Sequence, residues 1–286
     1  MIGLIGCGAM GGAMIARLIE QGHSVQCYDA LLEARSRAEA MGGTARDSLQ
    51  ALAEDCDVII LSLPRADIVR QVMSEVGPHI KPATIVLDTS TSEPEVTKAL
   101  AQTAQAGGYV FLDAPVSGGP LGARNGTMTM VMGGAADAID AVRPMLAALT
   151  AKIVHVGPSG SGHAAKIANN LLCAANLVLV SEMGRLAEST GVSLSDLLEG
   201  INAGSGRSAV SEVNFPKWIL SDGYDSGFTM GLMRKDVGLA TKLAKSADLE
   251  LPATRAIAAI WEDSRSTLCD SADFNEIYKY GASADV

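Results

Sequence analysis

Lys166 and Asn170 stand four residues apart, just beyond the glycine-rich turn Gly157-Pro158-Ser159-Gly160-Ser161-Gly162. In a helix that begins near Gly162, residues four apart share one face about 6 Å from each other, so the amine and the amide point the same way. Gly162, one turn earlier, leaves that face bare. A basic amine, an amide and an empty surface at a helix N-terminus form a pocket in which a small polar molecule can be held and deprotonated.

Two further runs could serve such a pocket. Asp113-Ala114-Pro115-Val116-Ser117-Gly118-Gly119 follows a strand end, and two consecutive glycines after a serine expose backbone N–H groups that can hold a carboxylate. Gly6-Cys7-Gly8-Ala9-Met10-Gly11 follows a strand and opens a helix, and Asp29 ends the next strand about 20 residues on. Glycines at these places allow a tight turn, close approach of backbone to a pyrophosphate, and close packing of helix on strand. The helix N-terminus, with the amides of Ala9 and Met10, supplies donors for the diphosphate. Asp29 can accept hydrogen bonds from both ribose hydroxyls and repels a 2′-phosphate, which favours NAD over NADP. The alternative is a solvated loop carboxylate with Arg35 as a phosphate clamp.

Positioning these groups requires an alternating fold. Strand signals at Ile2–Gly6, Ser24–Tyr28, Asp57–Leu63, Thr84–Asp88, Tyr109–Leu112, Thr127–Gly133 and Lys152–Val156 are separated by helical stretches. That alternation predicts an α/β, Rossmann-type, doubly wound and mainly parallel sheet over residues 1–160. Beyond Gly160 strand signals stop, and helices are expected from Gly162 to Ser189, at Ser193–Asn202, around Ser208–Ile219, at Arg234–Ala247 and at Pro252–Asp263. Residues 161–286 are therefore expected to form an all-α domain for substrate binding and dimerisation, with the site in a cleft between the two.

Composition narrows the partners. The 286 residues are 48% apolar and 4% aromatic, which suits two packed domains and excludes disorder. With 22 basic against 32 acidic residues the net charge is −10, which argues against nonspecific nucleic-acid binding. Cys7, Cys27, Cys56, Cys173 and Cys269 are widely spaced without a CxxC pair, so neither a disulfide framework nor a zinc site is indicated, and a cytoplasmic location is expected. The amino terminus reads straight into a strand, with no leader expected. No apolar run is expected to reach the roughly 18 residues that span a bilayer, the longest being Leu171–Val180.

These motifs together resemble the β-hydroxyacid dehydrogenases. The resemblance runs nearly end to end: the amino-terminal glycine loop, Asp113 to Gly119, the turn with Lys166 and Asn170, and Phe228 to Ala240 with Lys235-Asp236. It implies hydride transfer between NAD, less readily NADP, and a small anionic hydroxy acid or its semialdehyde. It also implies Lys166 as the catalytic lysine, Asn170 as a substrate-orienting amide, and Ser117, Gly118 and Gly119 as the carboxylate cradle. Leu63, Pro64 and Thr91 match cofactor contacts, and Lys235 matches a lysine that closes over the nicotinamide end. A homodimer or homotetramer is implied too.

The chemistry of Lys166 agrees. Oxidising an alcohol requires a base, whereas a free lysine with a pKa of about 10.4 is mostly charged at neutral pH. Placement near the positive end of a helix, in a desolvated cleft beside cationic nicotinamide, lowers it. Lys235 and Asp236 read alone as an exposed ion pair. Arg207, between Gly206 and Ser208, either reaches a second anionic group or caps the neighbouring helix. His23, His79, His155 and His163 form no metal spacing or triad, and only His163 lies near the pocket. Within the family, tartronate semialdehyde or succinic semialdehyde reduction is the alternative. Imine reductases share the architecture but carry another proton donor in place of the lysine, and a nucleotide-binding module without catalysis lacks it.

Overall fold

The computed structural model describes residues 1–281. The chain divides into two compact units, Met1–Lys166 and a second from Ile167 on.

The first unit runs β1 (Ile2–Ile5), α1 (Ala9–Glu20), β2 (Val25–Tyr28), α2 (Leu32–Ala40), β3 (Thr44–Ala45), α3 (Leu49–Asp55), β4 (Val58–Leu61), α4 (Ala66–Val76), β5 (Ile85–Asp88), α5 (Pro94–Ala106) and β6 (Val110–Asp113). It continues through β7 (Val116–Ser117), α6 (Gly119–Asn125), β8 (Met128–Gly133), α7 (Ala136–Leu146) and β9 (Thr150–Gly157) into the first turns of α8 (Ser161–Glu188). The strand order is β3-β2-β1-β4-β5-β6-β8-β7, with β9 beside β8. From β3 to β6 every pair is parallel, with Leu4 facing both Cys27 and Ile60. β8 runs antiparallel to β6 and β7.

Continuous apolar strands such as Ile2-Gly3-Leu4-Ile5 and Val58-Ile59-Ile60-Leu61 must be covered on both faces. One core gathers Met14, Ile15 and Leu18 of α1 with Met128, Met130 and Met132 of β8. Another gathers Leu52 of α3, Val69 and Met73 of α4 and Phe111 of β6. The sheet is thus doubly wound, as the alternation predicts.

The second unit contains the rest of α8, α9 (Leu194–Ala203), a ten-residue π-helix at Val210–Ile219, α10 (Met230–Ser246) and α11 (Pro252–Asp263). Its core packs Leu177, Phe215, Met233 and Trp261 together. α10 begins four residues before the expected Arg234, because the Thr229 hydroxyl accepts the Leu232 N–H at 3.3 Å and caps the start.

One expectation is corrected. α8 is 28 residues long and is, by length and composition only, long and apolar enough to cross a membrane. Asn and Lys interrupt its apolar residues, which hides that length from a search for an unbroken run. Ala174, Leu177, Val178 and Val180 of this helix are buried in the core of the second unit.

Candidate active site

In an open parallel sheet the strand order reverses where successive strands go to opposite sides of the first, and a crevice opens outside their carboxyl ends. Here that point lies between β1 and β4. Gly6 to Gly8 leave β1, Asp29 follows β2, Leu63 and Pro64 follow β4, and Thr91 follows β5, so the residues expected to hold a dinucleotide gather on one edge.

The loop after β1 is shaped by what glycine omits. A Cβ on Gly11 would overlap the Gly6 carbonyl oxygen and come within 3.0 Å of Leu4, so α1 can approach β1 only with glycine there. A Cβ on Gly8 would meet no atom within 4 Å, and Gly8 and Ala9 are exposed. No side chain caps α1. Open space in front of uncapped helix amides suits a diphosphate. The Cys7 thiol beneath is held protonated, first by its hydrogen bond with Cys27 and then by burial.

Asp29 is fixed by backbone. Its Oδ2 accepts the Cys7 N–H at 2.7 Å and its Oδ1 accepts the Leu31 N–H at 2.9 Å. Arg35 donates to the Asp29 carbonyl oxygen, and its guanidinium lies 4.3 Å from the centre of the Tyr28 ring. The Leu63 N–H donates to Ser90 Oγ at 3.2 Å, which joins the loops after β4 and β5. Leu63 and Thr91 are half-buried and Pro64 is exposed.

The strand end after β6 carries the second half of the site. Gly118 and Gly119 take φ values of 122° and 63°, which a side chain disfavours, and Gly118 is exposed at the start of α6. Lys166 donates to Ser117 Oγ at 3.0 Å, bringing together an amine and a serine 49 residues apart. Both are half-buried. Thus the structure unites Lys166 with the Ser117–Gly119 turn.

Asn170 lies one turn along the same helix and is buried. Its Nδ2 donates to Asp236 Oδ2 at 2.5 Å, and its Oδ1 accepts from Asn169 at 3.1 Å. Lys235 Nζ sits 3.1 Å from Asp236 Oδ1, within ion-pair distance though outside hydrogen-bond alignment. With Asp236 only 1% exposed, the reading of Lys235-Asp236 as an exposed pair is corrected. The Arg207 side chain is 62% exposed and lies 3.7 Å from Glu212, a solvated pair. Asp113 and His163, to which the sequence assigns no role, are buried, as is Asp236. Their only linear signal is proximity to the glycine turns and to Lys235.

An open sheet with a glycine-turned helix start, a backbone-held carboxylate after β2 and a lysine at the strand edge defines a Rossmann-type fold suited to dinucleotide-dependent chemistry. Residues 1–157 match the family model described as the NAD binding domain of 6-phosphogluconate dehydrogenase. Residues 160–281 match the one described as NAD-binding of NADP-dependent 3-hydroxyisobutyrate dehydrogenase. The chain is 36% identical over 282 residues to 2-(hydroxymethyl)glutarate dehydrogenase of Eubacterium barkeri, covering 97% of this chain and 93% of that one. It is 33% identical over 288 residues to the mitochondrial 3-hydroxyisobutyrate dehydrogenase of Drosophila melanogaster, covering 97% and 88%. The solved structure of 3-hydroxyisobutyrate dehydrogenase from Mycobacterium tuberculosis with L-serine superposes with a TM-score of 0.92 at 31% identity, covering 97% of each chain. The chain belongs to the β-hydroxyacid dehydrogenase family. It is an NAD-binding enzyme that acts on the CH–OH group of hydroxy acids.

Proposed function

We propose that this enzyme interconverts a small 3-hydroxy acid of the 3-hydroxyisobutyrate type and its semialdehyde. The observation that carries the reading is Lys166 Nζ at 3.0 Å from Ser117 Oγ, beside a diglycine turn at the strand edge. The Ser117 hydroxyl and the amides of Gly118 and Gly119 hold the substrate carboxylate. Lys166 takes the hydroxyl proton during oxidation and returns it during reduction. The nicotinamide, when bound, accepts or supplies the hydride at carbon. The loops after β1, β4 and β5 carry the contacts of the dinucleotide.

NADH formation across small hydroxy acids at alkaline pH tests this. Turnover of 3-hydroxyisobutyrate or a close analogue is the expected result. Activity confined to tartronate or succinic semialdehyde points to the other branch of the family, and reduction of a ketimine without any alcohol oxidation overturns the proposal.

Asp29 supplies a second test. Its two backbone bonds fix the carboxylate after β2, and a carboxylate at that place repels a 2′-phosphate, so the enzyme is expected to prefer NAD, and Asp29→Ala is expected to erase most of that preference. The ratio of kcat/KM for NAD and NADP, measured before and after substitution, decides it; a native preference for NADP defeats the idea.

We also propose a homodimer or homotetramer. Leu172, Leu179 and Leu186 are 64%, 50% and 58% exposed and recur every seven residues on α8, which makes one apolar stripe. The double variant Leu179→Glu, Leu186→Glu should elute as a monomer in light-scattering chromatography, and an unchanged mass removes this face from the assembly. The five cysteines are free thiols, which supports the cytoplasmic reading.

A further inference from the structure

The first turn of α8 is tied to the sheet by a buried polar network that the proposed chemistry does not use. Asp113, at the end of β6, is fully buried and aims both carboxylate oxygens at the helix start: Oδ1 accepts the Gly160 N–H at 2.8 Å and Oδ2 accepts the His163 N–H at 3.0 Å. A Cβ on Gly162 would stand 2.7 Å from the Val131 carbonyl oxygen and 2.9 Å from Asp113 Oδ2. The helix is therefore seated against β8 and β6 as closely as backbone allows.

The His163 side chain makes the second tie. It is fully buried, with Nε2 3.0 Å from the Ser90 carbonyl oxygen and Nδ1 2.7 Å from Thr97 Oγ1. The carbonyl can only accept, so Nε2 carries a hydrogen, and in the neutral ring Nδ1 accepts a hydrogen bond from the Thr97 hydroxyl. Asp88 lies 3.8 Å from Nε2 and is itself held by the Ser90 N–H and the Ser92 hydroxyl. Ser90 also binds the Leu63 amide. One network thus reaches from the loops after β4 and β5 to the turn that precedes Lys166.

We propose that Asp113, seconded by His163, is a positioning residue for Lys166: it anchors the amino end of α8 so that the amine is held against Ser117. The geometry is economical in one respect. Asp113 and Ser117 lie four residues apart on the same segment, so a single stretch of chain carries both the anchor of the helix and the partner of its lysine. The lysine follows the anchored His163 by three residues, too short a span of helix to absorb a displaced first turn.

This inference rests on Lys166 as the proton carrier, so Lys166→Ala is measured in parallel. Asp113→Asn keeps the shape and one acceptor but turns an N–H₂ toward a backbone N–H. Thr97→Val removes the hydroxyl facing His163. Folded sites are counted by NADH titration, and kcat is expressed per site, which separates positioning from simple loss of folded protein. Displacing a reacting group by about 1 Å can cost roughly 100-fold, so a fall in kcat of that order is expected for Asp113→Asn and of about tenfold for Thr97→Val. NADH affinity should stay near the native value and KM should change less than kcat. A fall of less than about tenfold for Asp113→Asn or less than about threefold for Thr97→Val, or one matched by an equal loss of NADH affinity, overturns the inference. If Asp113→Asn yields no folded sites, Thr97→Val decides by the same measure. A Lys166→Ala enzyme with native turnover removes both readings, whereas an inactive one beside a fully active Asp113→Asn removes only this one.

Discussion

Replacing Lys166 by alanine is expected to lower kcat by roughly 10²–10⁴-fold, the range that a positioned general acid–base contributes, while leaving NADH affinity unchanged. The two effects separate because the groups expected to contact the dinucleotide follow β1, β2, β4 and β5, whereas Lys166 faces Ser117 after β6. Lys166→Arg should be nearly as inactive. Guanidinium keeps its charge and cannot act as a base at working pH, so a correctly placed cation is no substitute for a titrating amine. Stopped-flow turnover together with NADH fluorescence titration checks both statements. Turnover within about tenfold of native in the alanine variant would take the lysine out of the proton transfer.

The residues behind that prediction were legible to different degrees. Gly6, Gly8, Gly11 and Asp29 announce themselves because they lie within one strand–helix–strand unit, and local chemistry fixes what each must do. Ser117 with its two glycines and Lys166 with its turn are also local patterns. Their meeting at 3.0 Å across 49 residues is not. Nor is the partner of Asn170, which lies 66 residues away on α10. Asp113 reads in the chain as a strand-end carboxylate like Asp29, yet one faces backbone amides of a distant helix and the other those of its own loops. Only the pairing of strands decides that difference. Small elements failed for another reason. α3 and α6 are seven residues each, β3 and β7 two, and none is long enough to show a period. Strand signals end at residue 160, and the compact units part at Lys166 inside α8. A helix that starts against one core and continues into another gives no compositional sign of the change.

Arg234 is where the helical unit should be most sensitive. Its side chain is buried, and its guanidinium donates to the Trp261 carbonyl at 3.0 Å, Ser264 Oγ at 2.8 Å, the Leu268 carbonyl at 3.0 Å and Asp270 Oδ1 at 2.6 Å. These bonds tie α10 to the end of α11 and to the segment beyond it. Arg234→Ala takes its donor from the Leu268 carbonyl and leaves a cavity in place of the guanidinium, while the Trp261 carbonyl keeps the Ser264 hydroxyl and the 58% exposed Asp270 keeps Arg265; the lost buried bonds and packing are expected to cost about 2–4 kcal/mol. Arg234→Lys restores the charge but not the planar fork, since one ammonium cannot reach four acceptors spread across its plane, so it should recover only part of the loss. The measurement is favoured by composition: the two tryptophans, Trp218 and Trp261, both belong to the second unit, and Trp261 is buried with its Nε1–H on the Ala174 carbonyl at 3.2 Å. Intrinsic fluorescence during urea unfolding therefore reports that unit. A midpoint unchanged within about 1 kcal/mol would mean that the surrounding carbonyls find other donors when the arginine is gone. A fall of the expected size should carry activity down with it, because Lys235 and Asp236 are the next two residues of the same helix.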